Sequence, residues 1–557
     1  MAFPIRSGSV PLLGLVLLAG AGCQPAPGAR FSPTTGVLSI YGTTVADLIV
    51  VSVSAGAIVV NGGEMPISGG VPAVANTQRI EVRGREGSDY IELDESGGPL
   101  PDGVLYGGDG DDILIGGSGD DRVEGGAGND VALLGGGDDT FVWTAGGGLD
   151  TVEGGEGSDT LRFEGQDVGE HASVVANGAR VTFSDDVGNV STDLGGVEAI
   201  EFLARGGADD VTVNDLTGTE LALVTIDLAG AQGIGDGAAD TLTVNGTQGA
   251  DSITMRDDGG AIAIGGTLHP AIRIQGQEPE DLLTVNALAG DDSIDATGPD
   301  LGIQIVLNLG LGTDTVLGSD GPERVTGGDG NDFVYLGGGD DTFVWNPGDD
   351  NDVVVGDEGF DTLIFNGAAV GEQFDLSAVL GHVRLTRSIA SVVMDLDDVE
   401  AIELPVRSGS DLVTVNDLST TDLVELDVDL LGNGGVADGA VDSVVVNGTA
   451  AEDVVEVSGN ASEVTVSGLA TQVNILNPES GFDSLTVQTL AGDDVVQASN
   501  LTAPSINLTE DGGADDDVLI GGSGADVLLG GTGDDVLQGG PGQDVLDGGP
   551  GSNILIQ

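Results

Sequence analysis

The sequence predicts an all-β fold in which parallel β-roll tracts alternate with β-solenoid-like segments, in a tandem repeat of about 202 residues. Short runs rich in valine, leucine and isoleucine are bounded by glycine, asparagine and aspartate, without convincing helical periodicity. A nine-residue glycine–aspartate pattern fills three tracts, and longer stretches recur at one constant offset. A sandwich-like module in each valine-rich segment is the alternative arrangement.

The composition indicates a folded and strongly acidic protein. The 557 residues include 93 acidic and 15 basic side chains, all of the latter arginine, and the net charge is −78. Such a surface repels nucleic acid and anionic lipid and attracts cations. The hydrophobic fraction of 39% is too high for a disordered chain. Because the chain has only one cysteine, it cannot form an internal disulfide, and bound metal ions are the expected means of stabilising the fold.

The first 22 residues are typical of an export signal. Arg6 supplies the positive start, residues 10–18 form a short apolar run, and small residues precede Cys23. This end resembles a bacterial lipoprotein signal, although Gly20 stands where that signal usually has an aliphatic residue. The resemblance implies lipidation of Cys23 and an outer-membrane lipoprotein at the cell surface or outside the cell. Ordinary cleavage after the small residues is the alternative, and residues 23–38 are predicted to be a tether.

A large duplication sets the domain organisation. The stretch GGGDDTFVW at Gly135 recurs at Gly337, and DGAADTLTVNGT at Asp236 matches DGAVDSVVVNGT at Asp438. Each unit has a glycine–aspartate front and a valine-rich back, and partial units flank the two full ones. The predicted boundaries are 1–22 for the signal peptide, 23–38 for the tether, 39–104 for a partial valine-rich unit, 105–163, 307–365 and 509–557 for the three glycine–aspartate tracts, and 164–306 and 366–508 for the valine-rich segments.

The glycine–aspartate tracts consist of nonapeptides of the form G-G-x-G-x-D-x-U-x, in which U is apolar. Glycine at the first, second and fourth places permits a tight turn that is closed to residues with a Cβ. We predict that the turn carbonyls and the sixth-place aspartate face one point. Repeat n should stack on repeat n+2, with the U side chains Leu114, Val123, Ala132 and Phe141 inside. A cation held between such turns receives only oxygen ligands, which calcium prefers.

These nonapeptides resemble the RTX (haemolysin-type) calcium-binding repeats, which implies a β-roll that binds several calcium ions. Glu323 and Asn553 occupy the aspartate position as weaker members. The predicted metal ligands are Asp112, Asp121, Asp130, Asp139, Asp150, Asp159, Asp332, Asp341, Asp352, Asp361, Asp517, Asp526, Asp535 and Asp544, with turn carbonyls near Gly107, Gly116, Gly125, Gly327, Gly521, Gly530 and Gly539.

Stacked carboxylates repel one another without counter-ions. We therefore expect the tracts to be disordered without calcium and to fold on calcium outside the cytosol. The valine-rich segments also carry aspartates at turns, such as Asp236, Asp240, Asp291 and Asp292. Most of these are expected to be turn and cap residues.

No catalytic motif is found, so we expect no enzyme activity. His171, His269 and His382 lie outside any H-E-x-x-H motif, and no G-x-S-x-G elbow is present. RTX toxins and enzymes typically have a C-terminal secretion signal and no N-terminal one, which argues against type I secretion and a toxin role here.

The expected role is structural or adhesive at the bacterial surface. Its partners are calcium and a cell-surface glycan or protein, with no nucleic acid and with membrane contact only through the lipid anchor. A polysaccharide-binding or polysaccharide-active β-solenoid enzyme, with the repeats as a folding module, is the alternative.

Overall fold

The computed structural model describes residues 28–557 apart from residues 145, 188, 189, 231, 232, 234 and 504. The predicted signal peptide and Cys23 lie outside the described residues. Part of the predicted tether is described, and it is not a tether. Gly28–Ser32 pairs antiparallel with Val37–Tyr41 and begins the first sheet. Alternating apolar residues such as Phe31 and Leu38 bury one face of this hairpin, which the Pro/Gly-rich start of the segment concealed.

Two long sheets contain all the strands of the described residues. The first sheet has 26 strands: Gly28–Ser32, Val37–Tyr41, Ile67–Ser68, Arg79–Glu86, Gly103–Asp109, Arg122–Ala127, Thr140–Thr144, Thr160–Glu164, Ala199–Arg205, Leu223–Gly230, Ser252–Asp257, Ile262–Gly266, Ala271–Gln275, Ser293–Asp295, Thr315–Leu317, Phe333–Gly338, Val353–Glu358, Gln373–Val379, His382–Arg387, Val392–Asp397, Leu412–Val415, Ser443–Asn447, Ser484–Gln488, Asn507–Asp511, Val527–Leu529 and Val545–Asp547.

The second sheet faces the first across the core. Its strands are Leu48–Ser54, Ala57–Val60, Tyr90–Asp94, Ile113–Ile115, Val131–Gly136, Leu149–Glu156, His171–Asn177, Arg180–Asp185, Val190–Gly195, Asp210–Val213, Thr241–Asn245, Leu282–Asn286, Gln304–Leu311, Glu323–Asp329, Thr342–Trp345, Thr362–Phe365, Ala401–Pro405, Glu425–Asp429, Val454–Asn460, Glu463–Ser467, Gln472–Leu476, Val495–Leu501, Val518–Ile520, Val536–Gln538 and Ile554–Ile556. The only helical segments described are the 3-10 turns Asn61–Gly63 and Glu95–Gly97. No described helix is long and apolar enough to cross a membrane.

The chain alternates between the two sheets, so each coil of the solenoid adds one strand to each sheet. In the first tract, Leu114 lies level with Ala132 and Val123 lies level with Phe141 in parallel pairs. All four side chains are at most 1% exposed. The predicted stacking of repeat n on repeat n+2, with the U side chains inside, is therefore confirmed.

The valine-rich segments continue the same stack of coils. Thr241–Asn245 pairs in parallel with Leu282–Asn286, which pairs in parallel with Gln304–Leu311. The sandwich alternative is therefore wrong, and the solenoid is continuous through the segment. With 26 strands about 4.8 Å apart, the first sheet extends about 120 Å along the stack.

Four antiparallel meanders interrupt the parallel stack. In the first meander, His171–Asn177 lies three places along the second sheet from Leu149–Glu156 and leaves two places between them. Arg180–Asp185 runs back antiparallel beside His171–Asn177, and Val190–Gly195 fills the last place, next to Leu149–Glu156. This adds three strands to the second sheet while the first sheet adds one. The other three meanders span residues 252–275, 373–397 and 454–476. Two meanders lie in each sheet, so the two sheets end with nearly equal numbers of strands.

Equivalent strands of the two duplicated units lie in opposite sheets. Thr140–Thr144 belongs to the first sheet, whereas its counterpart Thr342–Trp345 belongs to the second. A surface feature shared by the two units therefore faces opposite sides of the solenoid.

Candidate metal sites

The sixth-place aspartates form a ladder at the start of the strands. One carboxylate oxygen of most of them accepts a hydrogen bond from a backbone N–H one coil earlier, usually that of another aspartate. Asp130 Oδ1 accepts from Asp112 N at 2.8 Å, and Asp150 Oδ1 accepts from Asp130 N at 2.8 Å. On the other edge, Asp139 Oδ1 accepts from Asp121 N at 2.7 Å. Each aspartate thus joins two successive coils.

The second oxygen of these carboxylates is buried and has no donor. Of the fourteen predicted ligands, thirteen have an Oδ2 that makes no hydrogen bond to any described residue: Asp112, Asp130, Asp139, Asp150, Asp159, Asp332, Asp341, Asp352, Asp361, Asp517, Asp526, Asp535 and Asp544. The exception is Asp121, whose Oδ2 accepts from Gly117 N at 2.6 Å. A buried carboxylate oxygen without a partner is costly unless a cation or proton satisfies it.

Turn glycines place backbone carbonyls beside these oxygens. A Cβ on Gly107 would overlap Oδ2 of Asp112 and the carbonyl oxygen of Gly125 in the next coil. At all seven glycines singled out from the sequence, the sixth-place aspartate of the same repeat occupies the space of a Cβ. At Gly107, Gly116 and Gly521 a carbonyl oxygen of the next coil lies in the same space, and this set of carboxylate and carbonyl oxygens suits calcium.

Positive backbone φ angles explain the second glycine of several repeats. Gly108 has φ +125° and Gly126 has φ +107°. A Cβ on Gly126 would also overlap the carbonyl oxygen of Gly108 in the preceding coil. Only glycine allows the stacked turns to approach so closely.

Burial dominates the electrostatics of the ladder. Burial, together with the smaller effect of neighbouring carboxylate charges, raises the pKa of Asp112 to about 7 and that of Asp341 to about 8. The backbone N–H bonds oppose this effect without cancelling it. The charged ladder consequently needs positive charge at the turns.

The two weaker members of the pattern behave differently. Glu323 is buried, and its carboxylate accepts hydrogen bonds from the Ser319 hydroxyl and backbone N–H. Asn553 Oδ1 accepts from Asp535 N at 2.8 Å, while its amide donates to the Gly548 and Gly549 carbonyls. The Asn553 side chain keeps the contact between coils, whereas Glu323 keeps it only through its backbone N–H, which donates to Asp341 Oδ1.

The ladder also runs through the valine-rich segments, which the sequence reasoning missed. Asp209 Oδ1 accepts from Glu170 N at 2.8 Å, and Asp292 Oδ1 accepts from Asp251 N at 2.7 Å. A buried oxygen without a described partner occurs in Asp89, Glu170, Asp209, Asp292, Asp411 and Asp494. The available signal was an acidic residue directly before each apolar run, as in DDVTV from Asp209.

Other acidic residues of these segments are satisfied by protein donors. Asp251 Oδ2 accepts from Thr247 N at 2.7 Å, and Asp281 Oδ2 accepts from Glu278 N at 2.7 Å. Asp236 caps the exposed turn at Gly207. The valine-rich segments therefore mix capping residues with rungs that resemble those of the tracts.

Comparison with known families agrees with this geometry. The family profile described as the RTX calcium-binding nonapeptide repeat, four copies in length, matches residues 106–141, 144–167, 309–343, 348–364, 511–528 and 520–555. The three tracts are RTX repeats. RTX repeats bind calcium, and proteins that carry them are typically secreted to the extracellular space. No curated protein matches the chain.

Proposed function

We propose that this RTX protein is exported, folds on calcium outside the cytosol and then has a structural or adhesive role at the bacterial surface. One observation carries the proposal. Thirteen tract aspartates have a buried, unpartnered oxygen within the described structure, and turn carbonyls lie beside such oxygens. A calcium ion would supply the missing positive charge, and these turns offer it the oxygen ligands that it prefers.

Calcium fits the donor set better than magnesium does. Backbone carbonyls and carboxylates from stacked turns offer several oxygens in irregular positions, and calcium accepts such variable coordination. Magnesium requires near-octahedral geometry and gives up its water reluctantly. Because the cytosol is poor in calcium and the exterior is rich in it, the chain would cross the membrane before its tracts fold.

The surface role rests on the shape and charge of the folded chain. A stack of about 120 Å with a net charge of −78 is a long, strongly solvated spacer. A lipid on Cys23 would attach one end to the outer membrane. The exposed faces would then be available to a cell-surface glycan or protein.

Calcium titration of the full chain tests the proposal by far-UV circular dichroism and calorimetry. At neutral pH we expect little β structure in EDTA and cooperative folding as calcium reaches the millimolar range. Equal β content in EDTA and in millimolar calcium would contradict calcium-dependent folding.

A matched pair of variants locates the effect at the ladder. In Asp130→Asn, Oδ1 still accepts from Asp112 N, but an amide replaces the unpartnered oxygen. Asp109→Asn removes the same charge from an exposed place in the neighbouring repeat. The calcium concentration for half-maximal folding should rise about tenfold in the first variant and less than about twofold in the second. Equal shifts would show that bulk charge, and not the ladder, binds calcium.

A further inference from the structure

A buried pair of acidic residues lies outside the RTX tracts, in the first meander. Glu170 is 0% exposed and Asp185 is 3% exposed. They approach diagonally across two antiparallel strands, since Ala172 lies opposite Asp185 in the register. Neither oxygen of Asp185 makes a hydrogen bond to a described residue, and the same holds for Oε2 of Glu170. The other oxygen, Glu170 Oε1, accepts from Gln166 N at 2.9 Å.

The duplicated unit shows what this position requires. Glu372, the counterpart of Glu170, is equally buried, and one of its oxygens accepts from Ala368 N at 2.6 Å. Its other oxygen forms an ion pair with Arg387 at 2.5 Å. Arg387 is the counterpart of Asp185, because both lie 15 residues after their glutamate and at the same register position. Where one unit places a cation beside the glutamate, the other places a second carboxylate.

We propose that Glu170 and Asp185 bind a divalent cation, calcium in the secreted protein, which takes the place of the Arg387 guanidinium. Backbone carbonyl oxygens lie beside Glu170. A Cβ on Gly165 would overlap Glu170 Oε2 and would lie 2.9 Å from the carbonyl oxygens of both Leu203 and Ala204. These are hard oxygen donors of the kind that calcium prefers.

The surroundings support a bound cation at neutral pH. Burial, together with the charge of Asp185, raises the pKa of Glu170 to about 7. Burial also raises the pKa of Asp185 to about 6. Above these values two negative charges share one buried space, which is stable only with a compensating cation. Glu170 is a rung of the ladder beyond the predicted tract, and Asp185 lies outside the nonapeptide turns, so a substitution of Asp185 tests this site apart from the RTX sites.

Exchanging the two residues tests the proposal in the full chain. Asp185→Arg copies the ion pair of the second unit, and Arg387→Asp copies the acidic pair of the first. Native mass spectrometry in calcium resolves single bound ions. We expect Asp185→Arg to carry a single calcium ion fewer than the unmodified chain, and Arg387→Asp a single ion more.

A smaller change protects the test against misfolding. Glu170→Gln keeps the side-chain volume and removes one charge, so it should also lose a single ion while circular dichroism stays unchanged. An unchanged ion count in folded Asp185→Arg and Glu170→Gln would overturn the proposal and assign a shared proton to the pair. A single bound ion in the unmodified chain that both variants lose would instead refute the RTX sites and leave this one.

Discussion

Without calcium, the first tract should be more stable in acid than at neutral pH. Burial raises the pKa of Asp112, Asp139 and Asp150 to about 7, and that of Asp121 and Asp130 to about 6, from an ordinary value of 3.8. At about 1.4 kcal/mol per pKa unit, and halved for screening at the turns, the five shifts together favour the protonated over the charged folded tract by about 10 kcal/mol. This approaches the whole stability of an ordinary domain, which is about 5–15 kcal/mol.

The sign follows from the direction of the shifts. A carboxyl whose folded pKa lies above its unfolded pKa stabilises the fold below the unfolded value, near pH 4. That stability is lost as the pH rises through the folded values, near 6 to 7. Calcium removes the dependence at neutral pH because it replaces the protons on the same oxygens.

Circular dichroism and tryptophan fluorescence from pH 4.5 to 8.5 measure this effect, in EDTA and in millimolar calcium. In EDTA we expect β structure and buried tryptophan at acidic pH, with loss centred near pH 6 to 7. In calcium the signal at neutral pH should be that of the folded chain. Loss of structure on acidification in EDTA, as in a protein held by salt-bridged acids, would refute the reasoning.

Two further substitutions test the packing of the solenoid. Gly126→Ala should destabilise the first tract by more than about 2 kcal/mol, because φ is +107° and the Cβ meets a carbonyl of the preceding coil. Gly249→Ala, where nothing lies closer than 3.9 Å, should change stability by less than about 0.5 kcal/mol, and urea unfolding in calcium compares the two. Arg387→Ala should cost about 3–5 kcal/mol because it leaves a buried glutamate unpaired, whereas Arg79→Ala at an exposed pair should cost less than about 1 kcal/mol. Similar losses for the two arginine variants would show that the buried pair is not needed.

The nonapeptide tracts were largely predictable from sequence. Their nine-residue period sets the stacking, so the inward position of Val123 and the carboxylate–carbonyl approach at Gly107 follow from local chemistry. The valine-rich coils were harder, because successive rungs such as Asp209 and Asp240 are 31 residues apart and no fixed period connects them. Which acidic residue lies beside which N–H is decided by the register of the sheets.

The meanders and the charge exchange required the structure. Asn177 and Gly178 form a hairpin signal that could have found the first meander, but the strand that returns beside Leu149–Glu156 is set by tertiary pairing. Asp185 and Arg387 look like unrelated surface residues in the sequence. Only their common register position shows that each faces a buried glutamate.

The most direct test of the central claim is anomalous diffraction from crystals of the full chain grown in calcium. We predict calcium peaks about 2.3–2.6 Å from the unpartnered Oδ2 atoms of the tract ladder, such as those of Asp112, Asp130 and Asp332. Each peak should also contact turn carbonyls such as that of Gly125. A folded tract with no anomalous density at these oxygens would contradict the account.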